Sequence, residues 1–269
     1  CIGNSPHLIT GNVVVLPGVT LTIQEGVTVQ TRGGAELQVQ GHLSAIGIAN
    51  QRILFTSEVD TGPGQWNGLY FKGGTGDLEH VVVRYAGPNN SDTYRGNIVA
   101  RNVLTGELRI INSEIRDQNL YYYVDVGLNV VDSRVVVSNT LFTGNGGGVE
   151  SANDAPMRII GAFSVVTMTG NSFINNMHDQ VFLYANAMMA QDARLSPQTY
   201  LEGYRLVQDY VVPQDITLTI EPGVTLMAAG TEVQILGHLN AIGTPTQPIT
   251  FTSLTNTGVN QWKGLYFNG

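Results

Sequence analysis

The chain has 269 residues with 13 basic and 21 acidic side chains, a net charge of −8, and only 13% charged residues. No basic stripe or Lys/Arg run is present, which argues against nucleic acid or an anionic membrane as partner. No apolar run reaches the ~18 residues of a membrane span, and the single cysteine, Cys1, leaves no intrachain disulfide.

Taken in order, the chain reads as short strands. Val19-Thr-Leu-Thr-Ile23 alternates apolar residues with threonine, and Val27-Thr-Val29 resumes the pattern after the turn at Glu25-Gly26. Glu36–Gln40 alternates again and is closed by Gly41. Similar runs follow at Arg52–Thr56, Gly68–Phe71, Glu79–Tyr85, Glu107–Ile111, Gly127–Val131, Arg134–Val137, Met157–Ile160 and Ser164–Met168. Each is bounded by Gly, Asn, Asp or Pro, residues that tolerate tight turns. Ala185–Leu195 alone has helical composition and ends at Ser196-Pro197.

The opening is then written again. Val19–Gly73 returns as Ile216–Gly269, with more than half of the aligned positions identical, so that Gln65-Trp66 recurs as Gln261-Trp262. The repeat divides the chain into a module over 1–183, a boundary segment over 184–208 with a short helix, and the start of a second, truncated copy over 209–269. Ser5–Asn12 is expected to be a strand covering the first coil, which would blunt an open sheet edge.

Between the copies a smaller motif recurs as Asn112-Ser-Glu-Ile-Arg-Asp117, Asn139-Thr-Leu-Phe-Thr-Gly-Asn145 and Asn171-Ser-Phe-Ile-Asn-Asn176. A winding of that length holds three short strands. Stacking windings ~4.8 Å apart would place Ile115, Leu141 and Phe173 over one another and let Asn112, Asn139 and Asn171 form a ladder. Two-residue Asn-Gly or Asp-Gly hairpin turns are few, which favours a solenoid over a sandwich. The expected fold is all-β: a right-handed, single-stranded parallel β-helix with three short strands per coil.

The succession TLTIxxGVTV, GxLxAxG, IxFTS and QWxGLYF, followed by the NS-I and N-F windings, resembles the right-handed parallel β-helix repeats of secreted and surface bacterial proteins with pectate-lyase-like architecture. The resemblance implies a structural or adhesive module of a larger repetitive extracellular or cell-surface protein, with polysaccharide or other surface proteins as partners. It implies fold more strongly than function, because one architecture hosts many activities. Cys1 would be either a lipid-carrying residue or an accident of where the sequence starts.

The alternative is a polysaccharide lyase or glycoside hydrolase with an atypical site. Its candidates are Arg84, Arg116 and Asp117, which follow equivalent apolar positions on consecutive windings, with Glu114 and Asp125 nearby. The NxD, Gly-Asp-Asp, Gly-His-Gly and Arg-Ile-Lys motifs of the hydrolase branch do not occur, and an ion pair along the stack is the simpler reading of an Arg beside carboxylates. Tyr121, Tyr122 and Tyr123 are the candidate sugar-stacking residues. Pro88–Gly96 and Glu150–Asp154 offer oxygens to Ca2+, but no Asp-x-Asp-x-Asp spacing supports a site; no metal ligand or cofactor is expected. His42 and His238, and Trp66 and Trp262, recur at equal repeat positions and are read as structural.

Overall fold

The structure, a computed structural model, describes residues 5–87, 95–118, 126–147, 154–184 and 189–268. No helix occurs among them; every named element is a strand, and every paired strand is parallel to its neighbour.

The chain winds in coils of three strands. The first coil holds β1 (His7–Ile9), β2 (Val13–Val15) and β3 (Thr20–Ile23); the second β4 (Thr28–Thr31), β5 (Leu37–Val39) and β6 (His42–Ile46). Next come β7 (Ile53–Ser57), β8 (Leu69–Lys72) and β9 (Thr75–Glu79), then β10 (Val81–Arg84), β11 (Ile98–Arg101) and β12 (Leu108–Ile111). The central coils are β13 (Glu114–Arg116), β14 (Val126–Val131), β15 (Arg134–Ser138), and β16 (Leu141–Thr143), β17 (Ala155–Ile160), β18 (Val165–Thr169). β19 (Ser172–Ile174) and β20 (Gln180–Tyr184) follow, and β21 (Ala193–Leu195) lies in the boundary segment. After it come β22 (Gly203–Leu206), β23 (Tyr210–Val212), β24 (Thr217–Ile220), β25 (Thr225–Ala228), β26 (Glu232–Ile235), β27 (His238–Ala241), β28 (Thr250–Ser253) and β29 (Gly264–Phe267).

Stacking every third strand builds three faces. Face A is the seven-stranded sheet from β1 to β19, face B the ten-stranded sheet from β2 to β28, and face C the six-stranded sheet from β3 to β18. This is a parallel β-helix. Inward side chains form columns, one of which runs Ile115, Phe142, Phe173 along face A, with the two phenyl rings stacked at 4.7 Å between centroids. These columns are fully buried and make one continuous core. A coil alone buries almost nothing; its neighbours above and below supply the apolar contact.

From β8 to β19 the corners are turned by a residue with left-handed backbone directly after the strand. Between C and A the column is His80, Asn112, Asn139 and Gly170; between B and C it is Gly73, Asn102, Asp132 and Gly161; between A and B it is Tyr85, Asp117, Gly144 and Asn175. Asn, Asp and Gly tolerate this conformation best. At Gly170 a Cβ would lie 2.6 Å from Oδ1 of Asn139 in the coil below, so that side chain would have to shift.

Several expectations change. Leu141 pairs with Glu114 and Ser172 and points outward, so Phe142 is the core residue of its coil. Two adjacent apolar residues made the period-2 phase ambiguous, and a shift of one residue exchanges the faces. Asn171 does not continue the column of Asn112 and Asn139; it lies one residue on, above Ser113 and Thr140. There Ser113 N–H donates to Thr140 Oγ1, Thr140 N–H to Asn171 Oδ1, and Asn171 N–H to Gln198 Oε1. A true asparagine ladder stands at the A–B corner, where Nδ2 of Asn145 donates to Oδ1 of Asn176 at 3.0 Å. The boundary segment holds β21 and β22 and no helix among its described residues, 189–208. β1 is a rung of face A paired with β4, not a strand laid across the end.

The second copy keeps its internal register. Thr20 pairs with His42 as Thr217 does with His238, and Leu37 with Leu69 as Val233 does with Leu265. Its place in the cross-section is different. β22 and β25, the counterparts of β1 and β4 on face A, stack on face B. Counterparts of the face-B strands, β23, β26 and β29, form a sheet of their own. That sheet grows from the B–C corner: Ala190 N–H donates to Ala162 O, and Met189 N–H to Val211 O of β23. Face A meanwhile narrows to a single bridge, Ser172 with Thr199. Face B therefore runs through both copies, and the counterparts of the face-A strands are displaced onto it.

Candidate functional site

The predicted group on face A is brought together. Arg84 and Arg116 are register partners on adjacent coils, and Asp117 follows as a corner residue. Every member is committed to a neighbour. Arg84 forms a two-point pair with Asp60, through Nε–Oδ1 at 3.0 Å and through Nη2–Oδ2. Arg116 donates to Oδ2 of Asp117 at 2.6 Å and to Oε1 of Glu114 at 2.9 Å, and Arg52 reaches Oε2 of Glu114 at 3.1 Å. The hydrogen bond that Arg116 donates to Asp117 holds the guanidinium above its ordinary pKa, Glu114 adding to the effect. An arginine that must act as a base, or a carboxylate that must carry a proton, gains nothing from such pairing. The arrangement ties coils together along an open face.

Tyr121, Tyr122, Tyr123, Asp125 and Glu150 lie outside the described residues. Asp154 accepts Gly147 N–H at 3.1 Å, and no cluster of three or more His, Cys, Asp or Glu side chains is placed to hold a metal among the described residues. His42 touches Thr75 Oγ1 at 2.9 Å and lies 3.5 Å from Asp77, on the outside of face C.

A second group was missed. Outside face B, one column runs Gln38, Tyr70, Val99, Asn129, Arg158, Phe182, Arg205, Met227, Thr252. A parallel column holds Lys72, Arg101, Val131, Ile160 and Tyr184. In the middle coils these outward residues are buried: Asn129, Arg158, Phe182, Val131 and Ile160 are each under a tenth exposed. The guanidinium of Arg158 stacks on the Tyr184 ring at 4.3 Å and that of Arg205 on the Phe182 ring at 4.7 Å. Arg101 reaches the Tyr70 hydroxyl at 3.4 Å. Burial raises the pKa of Tyr184 and lowers that of Arg205, each by penalising its charged form.

The longest A-to-B connections fall at four successive corners, over residues 58–68, 85–97, 117–125 and 144–154. A sequence signal was present: Val126–Val131, Ala155–Ile160 and Gln180–Tyr184 do not alternate with polar residues, as strands wetted on one side do.

Compared with known proteins, the chain matches no family model, no curated protein and no solved structure.

Proposed function

We propose that the chain is a structural and adhesive module of a larger repetitive protein of the bacterial surface or exterior, of the β-helix kind it resembles, and that it contacts glycans through the outside of face B. One observation carries this reading. Lys72, Arg101 and Arg205, three of 13 cationic side chains in a chain of net charge −8, share the accessible part of that face with Tyr184, while Arg158, Phe182 and Tyr70 lie buried behind them. Aromatic rings offer flat apolar surface to sugar rings, and guanidinium groups offer paired donors to hydroxyl and carboxylate oxygens. A long, stiff stack with identical internal register in two copies suits a spacer that lengthens by duplication.

A glycan array probed with the whole chain tests the proposal. Binding to acidic or neutral glycans that weakens at least tenfold in Arg205→Ala and Tyr184→Ala, and not in Arg109→Ala on face C, supports it. Absence of binding, or equal binding by all variants, defeats it. The same incubations, assayed for new reducing ends or unsaturated products, test the polysaccharide-degrading alternative.

A further inference from the structure

We infer that face B takes acidic glycans in preference to neutral ones, and that Arg205 and Tyr184 form the subsite that receives the anionic group, a carboxylate or a sulfate. The inference rests on the glycan reading of face B and deepens it by naming the charge of the ligand.

Arg32, Arg52, Arg84, Arg109, Arg116 and Arg194 each meet a carboxylate. Arg205 meets none among the described residues and lies instead over the Phe182 ring, with its guanidinium carbon 4.7 Å from the ring centre. Phe182 is fully buried and Arg205 half-buried, so the cation has given up part of its hydration without gaining a counter-charge. Burial lowers its pKa accordingly. An anion laid against the guanidinium supplies the missing partner, and the planar fork of donors fits the paired oxygens of a carboxylate or sulfate.

The surroundings select the same sign. β17 and β22 flank β20 on face B, and each sends an arginine to a β20 ring: Arg158 lies over Tyr184 at 4.3 Å and Arg205 over Phe182. Two guanidinium groups are thus gathered at one rung. Both favour the Tyr184 phenolate, yet burial outweighs them and its pKa is raised, with Asp154 adding to the rise. The phenol therefore keeps its proton at neutral pH and acts as a donor to an anion, not as a competing charge. Along the two outward columns, Gln38 to Thr252 and Lys72 to Tyr184, no position is Asp or Glu, in a chain with 21 acidic residues. On faces A and C, by contrast, Glu114 and Asp77 stand among the outward residues and bind arginines.

A single small anion would use this subsite alone, but the face repeats the charge. Arg101 on β11 and Lys72 on β8 stand four and five rungs from β22, about 19 and 24 Å along the stack. Cations so far apart are met together by a chain that carries acidic groups on several of its sugars.

Three polymers with one backbone isolate the charge: dextran, carboxymethyl dextran and dextran sulfate. In calorimetric titrations of the whole chain, the acidic polymers should bind roughly tenfold or more tightly than dextran, and their binding should weaken as salt rises. Arg205→Gln should abolish the preference, Arg205→Lys should restore part of it, and Tyr184→Phe should weaken acidic binding a few-fold, each with an unchanged circular dichroism spectrum. Arg109→Gln, on face C, should bind as the parent does. A preference for either acidic polymer supports the inference and identifies the anion. Equal binding of all three would overturn it and leave face B a glycan surface, and acidic binding that survives Arg205→Gln intact would overturn it as well. Binding of none would overturn this inference alone, since the glycan array tests the broader reading separately.

Discussion

The strands β4–β8 and their repeat β25–β29 carry nearly the same sequence and the same internal register, yet they occupy different faces and reach different burial. Trp66 is 1% exposed, with its indole N–H donating to Arg84 O at 2.8 Å and its backbone bridged to Ala86 in the next coil. Trp262, in the same Gln-Trp-x-Gly-Leu-Tyr-Phe context, is half-buried, and among the described residues no strand stacks on β29 beyond it. The loops before the two tryptophans share their serine–glutamine bonds. Ser57 and Ser253 donate to Gln65 and Gln261, and accept from Asp60 N–H and Asn256 N–H. Local sequence therefore fixes the loop and the strand, while the neighbouring coil decides how much each residue stabilises. Asp60, which has Arg84 to bind, is replaced in the second copy by Asn256.

The largest expected difference between the copies is at the tryptophans. Trp66→Ala should cost about 3–5 kcal/mol, the range for emptying a filled aromatic site, and Trp262→Ala less than about half of that. Chemical denaturation of both variants measures it, and equal losses would break the comparison. Next comes Tyr204, whose first-copy counterpart is His7. Its hydroxyl donates to Ser196 O at 2.7 Å, and burial raises its pKa well above the ordinary 10.0. The folded state then holds a proton that the unfolded chain releases, so this contribution is complete below pH 10 and declines as pH rises beyond it. Tyr204→Phe should flatten the alkaline part of the stability curve, and His7→Phe should not. The smallest effect is at the repeated loop. Asp60→Asn should lose about 1 kcal/mol with its arginine pair, and Asn256→Asp should change stability by less than about 0.5 kcal/mol. Thermal melts at low and high salt separate the two, since only the first pair is screened.

Much of the fold is legible in the sequence, because period-2 runs such as Val19–Ile23 and left-handed corner residues such as Asn112 and Asn139 act locally. Register was harder. Leu141-Phe142 offers two apolar residues in succession, and only the coil above and below selects Phe142. The displacement of β22 and β25 onto face B could not be read, since a parallel edge accepts any strand of suitable length and β22 carries nothing that distinguishes face B from face A. On the functional side, Arg84 and Arg116 were correctly placed side by side. Asp60 reaches Arg84 from a loop, and no spacing rule connects the two. Arg158, Phe182, Tyr184 and Arg205 were missed because their strands read as core, although a parallel strand buried on both sides reads the same way.

The displacement itself is tested most directly by crosslinking. With Cys1→Ser as background, Phe182→Cys and Arg205→Cys occupy register partners on face B, within the Cα separation that a disulfide spans. Oxidation should consume both thiols within one chain, whereas the pair Ile174→Cys and Arg205→Cys should keep them. If the second pair closes and the first stays open, β22 lies over β19 on face A, and the displacement onto face B is the wrong description.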